Sequence, residues 1–119
     1  SDMRDLLDIE TQDVRAAEAV ALFCYHVKKW IGAYTAALGG VDTLVFTGGI
    51  GENTPVIRAR ICEGLEFLGI KISEKQNAAN NGLISAAPGQ VAVRLIRPDA
   101  ERMIARSVCK VIGLGAHAK

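Results

Sequence analysis

Apolar residues recur at three- and four-residue steps through Val14, Ala17, Ala21, Cys24, Val27, Ile31, Tyr34 and Leu38, the spacing of a helix face. The spacing predicts one long helix over 11–38, with Thr11 able to cap it, Asp13 at the positive end of its dipole and Gly39-Gly40 ending it. At 1.5 Å per residue such a helix reaches roughly 42 Å. Its other flank, with Val20, Leu22, Phe23 and Trp30, is also apolar, so the helix calls for two neighbours. Val41 to Phe46 is a short β-branched and aromatic run without alternation. It reads as a strand buried on both faces, as in a parallel sheet.

Thr47-Gly48-Gly49-Ile50-Gly51-Glu52-Asn53 reads as a loop, and Thr54-Pro55 as the cap and first turn of a second helix. On that helix Val56, Ile57, Cys62, Leu65 and Phe67 mark the expected inner side, while Arg58, Arg60, Glu63 and Glu66 are expected mostly in solvent. Ile70-Lys71-Ile72 is a short strand by alternation, and 74–90 is a polar stretch of turns around Leu83-Ile84. Val91 to Ile96 is a further strand. Pro98 and Asp99 open an expected last helix carrying Met103, Ile104, Val108, Val111 and Ile112. Helices alternating with strands predict an α/β protein with a small, mainly parallel sheet flanked by helices. Only two strands look central, too few for a robust free-standing sheet. The pattern suggests part of something larger.

Composition narrows the classes. The 119 residues are 50% hydrophobic and 23% charged, enough for one domain with a real core and against disorder or a fibrous chain. Fourteen basic residues oppose 13 acidic ones, which gives no reason to expect nucleic acid or an anionic membrane as partner. No apolar run approaches a membrane span, and the polar opening Ser1-Asp2-Met3-Arg4-Asp5 does not resemble a signal peptide. Cys24, Cys62 and Cys109 lack any CxxC spacing. They are expected as buried thiols in a reducing, cytoplasmic setting rather than as zinc ligands.

The candidate chemistry lies where the strand Val41 to Phe46 meets three glycines in four positions. Glycines at the carboxyl end of a parallel strand let backbone approach a ligand, and the helix that follows offers free N–H groups for phosphate or ribose oxygens. Glu52 and Asn53 add a carboxylate and an amide. The spacing fits neither GxGxxG nor a GK[ST] loop. Nucleotide binding and a merely tight strand-to-helix turn both remain open on these residues alone.

Val45-Phe46-Thr47-Gly48-Gly49-Ile50-Gly51-Glu52-Asn53 resembles the adenosine-contacting motif of the acetate and propionate kinases, members of the sugar kinase/Hsp70/actin superfamily. Ser1-Asp2-Met3-Arg4-Asp5 resembles that family's SDxRD segment, Ile31-Gly32-Ala33-Tyr34 its IGAY segment, and Met103-Ile104-Ala105-Arg106 its final helix. The resemblance implies a partial ribonuclease H-like, actin-like ATPase domain spanning 1–119, the carboxyl-terminal nucleotide-binding portion of such a kinase. It implies ATP or ADP and Mg²⁺ as cofactors and transfer of a phosphoryl group to a short-chain carboxylate. Asp2, Met3 and Arg4 would line the adenosine or phosphate side, and Gly49, Ile50, Gly51 and Asn53 would flank adenine and ribose. Glu101 would help place magnesium. Where the family reads PTNEE, however, this chain has Arg97-Pro98-Asp99-Ala100-Glu101, with one glutamate and a shifted proline.

Bland readings stand beside these roles: Glu101 as an exposed first-turn acid, and Arg4 as a surface ion pair with its aspartate neighbours. The resemblance also places the carboxylate pocket and the catalytic histidine, arginine and aspartate in an earlier domain. Neither His26 nor His117 replaces them. No catalytic residue is therefore expected here, and the segment alone is expected to be inactive. The same resemblance implies a homodimer paired through this domain, with Phe23, Trp30 and Tyr34 as core or interface. A non-catalytic oligomerisation or scaffold module, or an autonomous small ligand-binding domain, is the alternative.

Overall fold

A computed structural model describes residues 3–86, 91–97 and 112–114. Two helices open the chain, α1 (Met3–Ile9) and α2 (Val14–Leu38). Strand β1 (Thr43–Thr47) runs into two short helices, α3 (Gly48–Asn53) and α4 (Pro55–Cys62). After a single 3-10 turn over Glu66–Leu68 come α5 (Glu74–Ala78), β2 (Ala92–Ile96) and β3 (Ile112–Leu114). The three strands form a parallel sheet in the order β2-β1-β3, with Val45 opposite Arg94 on one side and Gly113 on the other. The expected small parallel sheet flanked by helices is present.

β1 is central, and Leu44, Val45, Phe46 and Thr47 are all buried, as its unbroken apolar run requires. Burying a Leu or Phe side chain of this kind contributes about 1.5–3 kcal/mol. The strand joins one core containing Val20, Ile31, Ile57, Ile61, Ile70, Ile84 and Val93. The outer side of β2 is covered by 82–86, through Ile84 N–H donating to the Val93 carbonyl (2.8 Å) and Leu95 N–H to that of Gly82 (2.9 Å). The short strand expected at Ile70–Ile72 reduces to one antiparallel bridge, Ile72 to Ser85.

Several expectations need correction. Asp13, not Thr11, caps the long helix, accepting from the Arg15 N–H at 2.9 Å; 11–12 form the turn out of α1. The buried face of α2 is Ala16, Val20, Cys24, Val27, Ile31 and Thr35, while Val14, Tyr34 and Leu38 are exposed. The sequence stripe agrees in the middle and fails at both ends. Its steps average about 3.4 residues, whereas a straight helix repeats every 3.6 and drifts off such a stripe. Thr47–Asn53 is no open loop, because 48–53 coil into α3. Residues 74–78 are helical, capped by the Ser73 hydroxyl. Ile112, expected on a helix, lies in β3, so the sheet has a third strand. The rest of the expected last helix, 98–111, lies outside the described residues. Among the described residues, no helix is long and apolar enough to cross a membrane.

The capping assignment is directly testable. Asp13→Ala is expected to lower stability by about 1 kcal/mol. Thr11→Ala should stay within about 0.5 kcal/mol of the parent in a chemical-denaturation series.

Candidate functional site

The glycine-rich segment sits at the carboxyl end of the central strand, where open α/β sheets hold ligands. Thr47 ends β1, and its hydroxyl donates to the Ile96 carbonyl at 2.7 Å, tying the ends of β1 and β2 together. The chain then turns through Gly48, whose φ of 83° is left-handed and costs any L side chain about 1–2 kcal/mol. Gly51 brings α3 down onto the strand. A Cβ there would lie 3.3 Å from the Phe46 carbonyl carbon and 3.5 Å from its Cβ. Gly49 differs from both. Its φ is not left-handed, it is exposed, and a Cβ there would meet no protein atom within 4 Å.

The three glycines therefore do three jobs. Gly48 makes the turn and Gly51 permits the close approach, while Gly49 leaves bare backbone facing outward where the fold itself would accept a side chain. Ile50 and Asn53 belong to the same short helix.

The remaining candidates are placed less centrally. Met3 is buried at the start of α1 and shares the core cluster with Phe46, while Arg4 is exposed. Asp2 and Glu101 lie outside the described residues, as do His117 and Cys109. Among the described residues no group of three metal-binding side chains comes together. His26 is exposed on α2. Cys24 and Cys62 are buried as expected. Burial raises both thiols, Cys62 to about 12, which disfavours the nucleophilic thiolate at neutral pH.

One residue of the site was misread from sequence. Arg58, expected in solvent, is fully buried on α4. Its Nη1 donates to the Gly51 carbonyl (3.0 Å), its Nε to Asn77 Oδ1 (2.7 Å), and its Nη2 to the Asn77 carbonyl (2.8 Å) and Asn80 Oδ1 (2.6 Å). Burial lowers the guanidinium to about 10, which still leaves it a cation at neutral pH. A signal was present in the sequence: Thr54, Arg58, Ile61, Cys62 and Leu65 follow helical spacing, and all are buried. Val56, two residues off that stripe, is exposed. So is Phe67, because α4 ends at Cys62 and its phase stops there. Thr54 holds the cap position of α4 with its carbonyl, which accepts from Ile57 and Arg58 (3.1 and 3.2 Å), rather than with its hydroxyl.

Two further contacts fix α4. Arg60 forms a forked pair with Glu10 (2.7 and 3.0 Å), and that hydrogen bond holds the Glu10 carboxyl below its usual value. Lys28 donates from α2 to the Glu63 carbonyl at 2.6 Å, placing a cation at the carboxyl end of α4. Because Glu10 is depressed in the folded chain, its contribution is present above the unfolded carboxylate value of about 4.3 and fades as pH falls through the lower folded one. Glu10→Gln should therefore flatten the acid limb of a stability–pH curve while leaving the shape above about pH 6 unchanged. Gly48→Ala is expected to lose about 1–2 kcal/mol at all pH values. Gly49→Ala should lose less than about 0.5 kcal/mol.

Residues 1–106 match the Acetokinase family. The chain is 48% identical over 113 residues to the acetate kinase of Coprothermobacter proteolyticus, covering 93% of this chain and 28% of that protein. It is 44% identical over 115 residues to the acetate kinase of Phocaeicola vulgatus, covering 94% and 29%. Among solved structures, Porphyromonas gingivalis acetate kinase superposes with a TM-score of 0.77 at 41% identity, covering 89% of this chain and 28% of that one. A propionate kinase from Francisella tularensis gives 0.76 at 32% identity, covering 93% and 29%. The chain thus spans under a third of the length of the curated relatives it matches. Its parallel strand, glycine turn and flanking helices are those of an actin-like ATPase fold, and the chain belongs to the acetokinase family.

Proposed function

We propose that this chain is the carboxyl-terminal nucleotide-binding portion of an ATP-dependent short-chain carboxylate kinase, residues 1–119 forming an incomplete domain. In the whole reaction a carboxylate oxygen bonds to the γ-phosphorus of ATP as the bond to the ADP oxygen breaks, giving an acyl phosphate such as acetyl phosphate. The observation that carries the reading is the glycine-rich segment 48–53 at the carboxyl end of the central parallel strand β1, where open α/β sheets hold ligands. Gly49, Ile50, Gly51 and Asn53 take the adenine and ribose, and Asp2, Met3 and Arg4 line the adenosine or phosphate side. Glu101 helps place Mg²⁺, which neutralises phosphate charge when bound. Phosphoryl transfer depends on aligning donor and acceptor and neutralising charge. With the acid pocket supplied by other polypeptide, this chain alone binds nucleotide and turns nothing over. Its setting is the cytoplasm, where ATP is available and thiols stay reduced.

The partner is a second copy. Leu22, Trp30, Tyr34 and Leu38 are each more than half exposed on α2, and Trp30, Tyr34 and Leu38, at successive four-residue steps, form an exposed stripe along the end of this 25-residue helix. Such a self-complementary face suits a twofold contact. The same stripe is the one observation that favours the alternative of a non-catalytic oligomerisation module, so the two readings are separated by ligand binding.

Calorimetric titration of the chain with ADP is expected to show weak saturable binding that Gly49→Ala and Asn53→Ala each reduce about tenfold, with melting temperatures unchanged for Gly49→Ala. ADP affinity unaltered by both substitutions would leave the scaffold reading. Acetate-dependent ADP release by the chain alone would contradict its inactivity. Trp30→Glu is expected to convert dimer to monomer in sedimentation velocity, since a charge within a packed apolar contact costs several kcal/mol.

A further inference from the structure

We propose that Arg58 is a positioning residue: a buried guanidinium that holds the glycine turn in its ligand-binding shape by anchoring the Gly51 carbonyl to Asn77 and Asn80. This deepens the nucleotide-binding reading and rests on it for the ligand, though not for the tether itself.

Four observations converge. Arg58 is completely buried, yet among the described residues its four hydrogen bonds all end on uncharged carbonyl or amide oxygens. A buried cation without an anion is costly unless its donors are fully engaged, and a methionine would fill such a place more simply. The bonds also reach three separate stretches of chain: α3 through Gly51, α5 through Asn77, and the turn after α5 through Asn80. Asn77 closes the loop by donating from Nδ2 to the Pro55 carbonyl (2.9 Å), at the start of the helix that carries Arg58. Asn80 has a φ of 54°, the one left-handed non-glycine residue described, and its amide oxygen is held by Arg58.

Gly51 is therefore gripped from two directions. Its Cα side rests against the Phe46 backbone, and its carbonyl is held by the guanidinium. Neither contact alone would set the tilt of a six-residue helix lacking a side-chain cap at Thr47. Together they aim the bare backbone at Gly49. The planar fork matters because one lysine ammonium cannot reach acceptors spread over three segments in a single plane.

The test compares Asn80→Gly, Arg58→Lys and Arg58→Met in the full chain. Asn80→Gly keeps the left-handed backbone and deletes one anchor without touching the core. Glu10→Gln, which breaks the other arginine fork on α4, is the control for general loosening. Amide hydrogen exchange without nucleotide is expected to quicken about tenfold at 48–53 in Asn80→Gly, and more in Arg58→Lys, with the amides of β1 unchanged. ADP affinity should fall by a similar factor, and Arg58→Lys should retain more of it than Arg58→Met. Glu10→Gln should change neither readout.

Exchange at 48–53 that stays at the parental rate in Asn80→Gly and Arg58→Lys overturns the tether. So does an increase shared equally by β1, which marks global loosening. Quickened exchange with unchanged affinity, in a chain that binds ADP, overturns the positioning role in binding. If the parent chain binds no ADP, the nucleotide reading fails by itself, and the exchange measurements still decide whether Arg58 holds the turn. Should Arg58→Met fail to fold, Asn80→Gly carries the test alone.

Discussion

A cation buried among neutral oxygens organises this structure. Arg58 lies under the glycine turn with no charged acceptor among the described residues, and its burial is tolerated because carbonyl and amide dipoles from Gly51, Asn77 and Asn80 converge on it. That requirement explains features which otherwise look arbitrary. The strained backbone of Asn80, the short helix α5 and the bond from Asn77 back to Pro55 all serve one polar centre.

The glycine turn shows how a single motif divides its labour. Gly48 satisfies a backbone angle and Gly51 a steric limit against Phe46, and both would be needed in a protein that bound nothing. Gly49 answers to neither demand, since its φ is not left-handed and a Cβ there would meet no protein atom within 4 Å. A parallel strand supplies the platform: Leu44, Val45, Phe46 and Thr47 are buried, and β2 and β3 pair on either side of the end of β1.

The long helix serves a different end. One face of α2 enters the core through Val20, Cys24, Val27 and Ile31, and Lys28 secures the end of α4. Elsewhere α2 leaves Leu22 and Trp30 on its other flank and Tyr34 and Leu38 towards its carboxyl end in solvent, a large apolar exposure for a soluble helix. The proposed dimer and the proposed nucleotide site therefore occupy different elements, so each can fail without the other.

Local chemistry was legible in the sequence. The β-branched run of β1, Pro55 at a helix start and Gly39 at a helix end are each dictated by the backbone conformation they permit, and each appears where the residues place it. The family resemblance was legible too, because GGIGEN and its preceding strand are specific enough to stand alone. Only tertiary structure decided what depends on partners distant in the chain. The burial of Arg58 rests on Asn77 and Asn80, some twenty residues away, and the pairing of Ile112–Leu114 with β1 spans nearly seventy. Periodicity reports which face of an element is apolar. It cannot report that a charge on that face has found enough oxygens to remain inside.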